Sequence, residues 1–226
     1  MDCPRHRRRA CADGSPGARA APRASRHARL RMRAAALACA SLACACAVEP
    51  LNEVCPALEE GELVITEIQG PQTDATTLPQ WIEITNLSGR ELELVGLHVV
   101  LSYLDGSGER VLVLRQQRTL PADAYFTLAL VPDNDRPADM DYGLAEEYDG
   151  DLYGDGIVRI EACDTLVDAV VYRDLTKAGT WALGAMPPDA EANDAADAWC
   201  VDDTAAGADS PSGVPGTPGK ANPPCG

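Results

Sequence analysis

The sequence predicts an all-β fold, a β-sandwich with about seven to nine short antiparallel strands and little helix. Apolar residues alternate with polar ones over short runs, and Gly, Pro or Asp-Gly pairs separate these runs. No window of about 11 residues keeps an apolar stripe at the helical period. Short strands with regular turn signals are typical of sandwiches and barrels.

The first two predicted strands, GELVITEIQ and QWIEITN, follow Gly61. In the second, Ile82 and Ile84 share one face, and Trp81 and Glu83 share the other. This alternation predicts a strand that is buried on one face only.

Two hairpins are predicted further along the chain. LHVVLSYLD turns at Asp105-Gly106 and returns as RVLVLR, since Asp and Gly tolerate positive φ. One side of its first strand carries Leu97, Val99, Leu101 and Tyr103. AYFTLALV adds a strand, and GIVRIEAC pairs with TLVDAVVYRD around Cys163.

Two stretches interrupt the strand pattern. Residues 133–156 are expected to form a long acidic loop. The tail from Asp202 is rich in Ala, Gly, Pro and Ser, so we expect it to cross the surface without regular structure.

Charge is divided unevenly along the 226 residues. Ten of the 19 basic residues lie within residues 1–33, whereas from residue 34 onward nine basic residues face 33 acidic ones, a balance of −24. Such a domain repels phosphate backbones, so nucleic-acid binding is disfavoured. It attracts cations or basic partners, although negative charge also serves solubility alone.

Residues 1–48 have the layout of a secretory leader. Arginines precede the apolar run AAALACASLACACAV at 34–48, which is too short to span a bilayer as a helix. Ala45-Cys46-Ala47 offers cleavage after Ala47, whereas Ser41-Leu42-Ala43-Cys44 is similar to a lipobox and would make Cys44 a lipidation site. Met1 and Met32 both remain open as starts. A linker at 49–60 and a domain at 61–222 follow.

Four cysteines remain outside the leader, namely Cys55, Cys163, Cys200 and Cys225. An even number in an exported chain predicts two disulfides, and the lack of a C-x-x-C pair argues against zinc or thioredoxin-like redox chemistry. Of three connectivities, we favour Cys163 with Cys200 and Cys55 with Cys225, because the second pair would tie both domain ends together.

Three segments together resemble the lamin-tail domain family. GELVITEI followed by Trp81-Ile82-Glu83-Ile84-Thr85-Asn86 resembles its opening, with Gln80 in place of the usual acid. LELVGL at 92–97 resembles its next turn, with Leu97 in the aromatic position. VRIEACDTLVDAVVY and the late Gly216-Thr217-Pro218-Gly219-Lys220-Ala221-Asn222 resemble its last hairpin and ending.

The resemblance covers residues 61–222 and implies an Ig-like β-sandwich. In bacteria this family occurs in secreted and surface-anchored proteins, as attachment or interaction modules without a catalytic motif. The role of its eukaryotic relatives in the nuclear lamina is not carried over to an exported acidic chain.

Few residues in the mature part offer catalytic chemistry. His98 is its only histidine, so a Ser-His-Asp or Cys-His arrangement would have to use it, and its place midway along a strand favours an ordinary strand residue. Paired carboxylates are left as candidates, but few aromatic residues are present to line a sugar cleft. We therefore expect no catalytic residues.

Calcium is the one cofactor that the sequence suggests. Asp149, Asp151 and Asp155 alternate in a Gly-rich loop, and Ca²⁺ takes six to eight oxygens in flexible geometry. A second acidic stretch, residues 189–197, is an alternative cation site. Acidic loops also commonly serve only to face water.

The sequence thus predicts a non-enzymatic binding or structural module. We expect it in the bacterial cell envelope or outside the cell, as a free protein or an outer-membrane lipoprotein, with an envelope protein or polymer as its partner. The alternatives are a calcium-dependent adhesion module and a carboxylate-based hydrolase.

Overall fold

A computed structural model describes residues 54–73, 78–144, 150–203, 213 and 215–226. They belong to one compact unit, residues 52–226. They form an all-β sandwich whose only helices within these ranges are three 3₁₀ turns, at Asp133–Asp135, Ala192–Asp194 and Ala196–Ala198. The predicted fold class is confirmed.

The first large sheet has six strands, in the spatial order β12-β11-β1-β2-β7-β8. Only the β7–β8 pair is parallel. In chain order the strands are β1 (Leu63–Gln69), β2 (Trp81–Asn86), β7 (Tyr125–Ala129), β8 (Tyr142–Gly143), β11 (Thr180–Leu183) and β12 (Trp199–Asp202).

The second large sheet has four antiparallel strands, in the order β10-β9-β4-β5. They are β4 (Leu97–Ser102), β5 (Arg110–Val113), β9 (Gly156–Ala162) and β10 (Thr165–Tyr172). Both predicted hairpins lie here, since β4 pairs with β5 and β9 with β10. A two-stranded ribbon joins β3 (Leu92–Glu93) to β6 (Thr119–Leu120).

Aliphatic side chains from both sheets form the main core. From β4, Leu97, Val99 and Leu101 point into it, as the alternation predicts. Tyr103 does not join them, because β4 ends at Ser102, and its side chain is 47% exposed. Leu58, in the segment expected as a linker, packs into this core.

The structure contradicts the prediction that β2 is buried on one face only. Ile82 and Ile84 face the main core, but Trp81 and Glu83 are also fully buried. Trp81 packs in a separate cluster with Ala129 and Met140. The second face of this sheet is covered because later parts of the chain fold back over it.

The described residues contain twelve strands, more than the seven to nine expected. The additional strands are short. β3, β6 and β8 each have two residues, and β11 (TWAL) and β12 (WCVD) have four. Runs of this length are too short for alternation to be recognised.

Cys55, Cys163, Cys200 and Cys225 all form disulfides, but the predicted pairing is wrong. The bonds join Cys55 to Cys163 and Cys200 to Cys225, with Cα–Cα distances of 5.5 and 5.7 Å. Cys163 lies in the turn between β9 and β10. The first described residues run beside this hairpin, where the Gly61 N–H donates to Val167 O at 2.8 Å. Cys200 lies on β12 in the other sheet, where the C-terminal residues bring Cys225 to it.

The predicted leader at 1–48, with the candidate lipidation site Cys44 and the predicted cut after Ala47, lies outside the described residues. Among those that are described, no helix is long and apolar enough to cross a membrane.

Candidate functional site

Two acidic side chains face each other on the outer face of the six-stranded sheet. Glu67 on β1 and Glu83 on β2 occupy directly opposite positions, and both are fully buried. A β-bulge between Ile65 and Glu67 lets the neighbouring Thr66 reach the same face, where its hydroxyl donates to Glu83 Oε1 at 2.9 Å. We call Glu67 and Glu83 the carboxyl pair.

The C-terminal segment, residues 215–226, covers the carboxyl pair. Thr217 N–H donates to Glu67 Oε1 at 3.2 Å, and Gly219 N–H donates to Glu83 Oε2 at 2.6 Å. Gly216 has φ +91°, and a Cβ there would lie 2.3 Å from Glu67 Oε1. Only glycine therefore lets the backbone come this close to the carboxyl group.

Asn222 fixes the other end of this contact. Its Nδ2 donates to Thr66 O at 2.7 Å on β1 and to Leu183 O at 3.2 Å on β11. Its Oδ1 accepts from the Thr217 hydroxyl at 2.7 Å. One buried amide thus links the C-terminal segment to two strands and to itself.

Burial dominates the electrostatics of the carboxyl pair. Burial raises the pKa of Glu67 to about 7, against hydrogen bonds from Thr180 and Thr217 and with the help of the nearby Asp202. Burial, followed by the charge of Glu67, also raises the pKa of Glu83 well above its usual range. At neutral pH the pair is therefore partly protonated, which removes the repulsion of two adjacent carboxylates.

The structure brings together residues that the sequence separates widely. Glu67 and Thr217 are 150 positions apart, and both belong to segments that carry the resemblance. Asn86 has a similar structural role, because its buried Nδ2 donates to Arg90 O, Leu120 O and Pro121 O at 2.7 to 2.9 Å. Alternation alone missed this site, since it placed Glu83 on a solvent face.

Two of the proposed calcium ligands accept hydrogen bonds from other parts of the chain. Asp151 Oδ1 accepts from Gln80 Nε2 at 2.5 Å, and Asp155 Oδ1 accepts from Asp174 N–H at 2.8 Å. Asp149 lies outside the described residues. Within the part of the chain that is described, no group of three or more His, Cys, Asp or Glu side chains is arranged to hold a metal.

The second acidic stretch belongs partly to the interior. Asn193 is buried, and its Nδ2 donates to Asp168 Oδ2 at 2.7 Å, the same oxygen that accepts from Ile65 N–H. Burial raises the pKa of Asp168 to about 6. Asp189 Oδ1 accepts the N–H groups of Glu191 and Ala192, which starts a 3₁₀ turn. These contacts link β10, β1 and the loop before β12.

His98 lies within β4, opposite Val113 on β5 and Glu161 on β9. It is partly buried. This position in a regular ladder agrees with an ordinary strand residue.

A shallow surface cavity of about 420 Å³, wide open to solvent, lies where β4 ends and β9 begins. We call it the tyrosine cavity, and its lining residues are Tyr103, Leu104, Asp105, Ser107 and Asp155. The Tyr103 and Tyr153 rings stack beside it, with centroids 3.9 Å apart. The alternation along this strand groups Tyr103 with Leu97, Val99 and Leu101, so it did not predict this cavity.

No protein-family model matches this chain, and no curated protein is similar to it.

Proposed function

We propose that this chain is an exported bacterial protein of the cell envelope or extracellular space, and that its β-sandwich is a non-enzymatic binding or structural module of the lamin-tail type. The observation that supports a non-enzymatic module is the bonding of the carboxyl pair. The acids with the most strongly raised pKa values accept hydrogen bonds from Thr217 and Gly219 in the C-terminal segment. Their carboxyl groups are buried and bonded to the chain's own backbone, so they do not face a substrate cleft.

The two disulfides support an extracytoplasmic location. Cys55–Cys163 ties the first described residues to the β9–β10 turn, and Cys200–Cys225 ties the C-terminal segment to β12. Disulfides form and persist in oxidising compartments and are rare in a reducing cytosol. A scaffold fixed in this way leaves its loops to contact a partner.

Export is tested by expressing the full chain in a bacterium, fractionating the cells and determining the mature N-terminus by mass spectrometry. We expect a mature chain that begins either at Val48 or at a lipid-modified Cys44. The Cys44→Ala variant separates these two forms, because it moves only a lipoprotein out of the membrane fraction. A cytosolic chain that keeps its leader would contradict the proposal.

The adhesion alternative is tested by the melting temperature with millimolar Ca²⁺ and with EDTA. A metal at about 100 times its dissociation constant adds roughly 2.7 kcal/mol to folding stability. Because Asp151 and Asp155 already bind Gln80 and Asp174, we expect no shift. An upward shift that Asp151→Ala abolishes would establish the calcium-dependent module instead.

A further inference from the structure

The tyrosine cavity presents an aromatic ring that is both exposed and fixed. Tyr103 is 47% exposed, and its ring stacks on Tyr153 at 3.9 Å with an interplanar angle of 31°. The Tyr153 hydroxyl donates to Gly108 O at 2.8 Å, which holds the second ring in place. A ring that is ordered beforehand loses little conformational entropy when a ligand contacts it.

Two anchored carboxylates lie beside this ring. Asp105 Oδ1 accepts from Ser107 N–H at 2.9 Å and from the Ser107 hydroxyl at 2.6 Å. Asp155 Oδ1 accepts from Asp174 N–H at 2.8 Å. These bonds orient both carboxylates, which are exposed at the cavity wall.

This combination selects a planar organic cation over other ligands. A calcium ion needs six to eight oxygens, more than two carboxylates and a serine provide. An anion is repelled by Asp105 and Asp155. A neutral sugar can donate hydroxyl groups to the two carboxylates, but it leaves their negative charges uncompensated, whereas a cation compensates them. A guanidinium group stacks on a tyrosine face, and the N–H groups at its edge donate hydrogen bonds to carboxylates.

The chain already shows this contact within itself. The Arg110 guanidinium carbon lies 5.7 Å from the centroid of the Tyr153 ring. We infer that the tyrosine cavity binds an arginine side chain of a basic partner protein, stacked on Tyr103 and paired with Asp105 and Asp155. The inference rests on the proposed function as a binding module. The balance of −24 from residue 34 onward favours a partner with many basic residues.

The test is the affinity of the purified oxidised protein for a hexa-arginine peptide with an uncharged dye, measured by fluorescence anisotropy. Because an exposed cation–π contact is weak, Tyr103→Ala should reduce affinity about threefold to fivefold, and Asp105→Asn about threefold. If the ring and the carboxylate contact the peptide independently, the double variant should lose about tenfold, the product of the two single losses. Tyr103→Phe keeps the ring and should bind like the unaltered protein.

Asp164→Asn is the matched control, because it removes the same charge from the exposed turn between β9 and β10, at the other end of the sheet. It should leave the affinity nearly unchanged. An equal loss for Asp164→Asn and Asp105→Asn, or an unaltered affinity for Tyr103→Ala, would overturn the inference in favour of unspecific attraction. Absence of any peptide binding would overturn the inference too. The proposed function is tested separately, by the cell fraction that contains the protein and by its N-terminus.

Discussion

At the scale of single residues, the carboxyl pair makes folding depend on pH. Glu67 has a pKa of about 7 in the folded protein against an ordinary value of 4.5. The folded state therefore holds more protons than the unfolded state between these values, and stability falls as pH rises. Glu83 acts in the same direction, since its pKa is raised as well.

We predict that the contribution of Glu67 to the free energy of unfolding is greatest below about pH 4.5. This contribution declines as pH rises through 7. The full decline that Glu67 causes is about 3 kcal/mol, because its pKa rises from 4.5 to about 7 on folding and each pKa unit corresponds to about 1.36 kcal/mol. Glu67→Gln should remove this part of the decline. Urea unfolding at pH 5, 6, 7 and 8 measures it.

The exposed Glu91→Gln is the control for this series, since it changes the same charge without burial. It should follow the pH dependence of the unaltered protein. If the stability of Glu67→Gln instead depended on pH as that of the unaltered protein does, Glu67 would be ionised in the folded protein at pH 5, which contradicts the prediction.

A second residue-scale prediction concerns two glycines with positive φ. Gly96 has φ +85°, and a Cβ there would lie 1.8 Å from Val54 O, whereas Gly89 has φ +72° and nothing within 4 Å. Gly96→Ala should therefore cost more than about 3 kcal/mol, and Gly89→Ala about 1 kcal/mol. The urea midpoints of the two variants compare them directly. Equal midpoints would mean that the segment at Val54 is free to move.

At the scale of elements, the C-terminal segment acts as a third layer on the sandwich. It has no strand of its own among residues 215–226, yet it supplies the hydrogen bonds that the outer face of β1 and β2 requires. The stability of two central strands thus depends on a segment without regular structure.

We predict that Asn222→Ala loosens this segment. The change removes bonds to Thr66 O and Leu183 O and should cost about 3 kcal/mol, because two carbonyl groups in the interior lose their donor. The Gly219 N–H should also exchange with deuterium faster. Hydrogen exchange and urea unfolding measure both effects. The exposed Asn134→Ala should change neither, and unchanged exchange at Gly219 in Asn222→Ala would contradict the role of Asn222.

Alternation predicted the inward faces of the larger strands well. Ile82, Ile84, Leu97 and Val99 lie in the core as expected, because residues two apart share a face of any strand. Alternation does not reveal whether the other face meets water. Glu83 is polar and lies on that face, so its burial depends on a segment more than a hundred residues later in the chain.

At the scale of the whole molecule, the disulfides close loops of different length. Cys55–Cys163 spans 108 residues and Cys200–Cys225 spans 25. In the chain-entropy description, the longer loop contributes about 5 kcal/mol and the shorter about 3.5 kcal/mol. Their pairing could not be predicted from spacing, because it depends on which segments the fold brings next to the β9–β10 turn and to β12.

We predict that Cys55→Ala/Cys163→Ala destabilises the protein more than Cys200→Ala/Cys225→Ala, as measured by urea unfolding of the oxidised forms. Cys200→Ala/Cys225→Ala should in turn speed deuterium exchange at Gly219, because the bond anchors the C-terminal segment. Peptide mapping without reduction provides the control for connectivity. A peptide that links Cys163 to Cys200 would contradict the fold described above.

The cover over the carboxyl pair also sets an order of events during synthesis. Thr217 follows Glu67 by 150 residues in the chain, so the residues of β1 and β2 are made long before the segment that shields them. Until then both glutamates face water with their ordinary acidity and repel each other across the hairpin. Closing the fold therefore takes up protons from solvent, and the sheet reaches its final state only when nearly the whole domain has emerged.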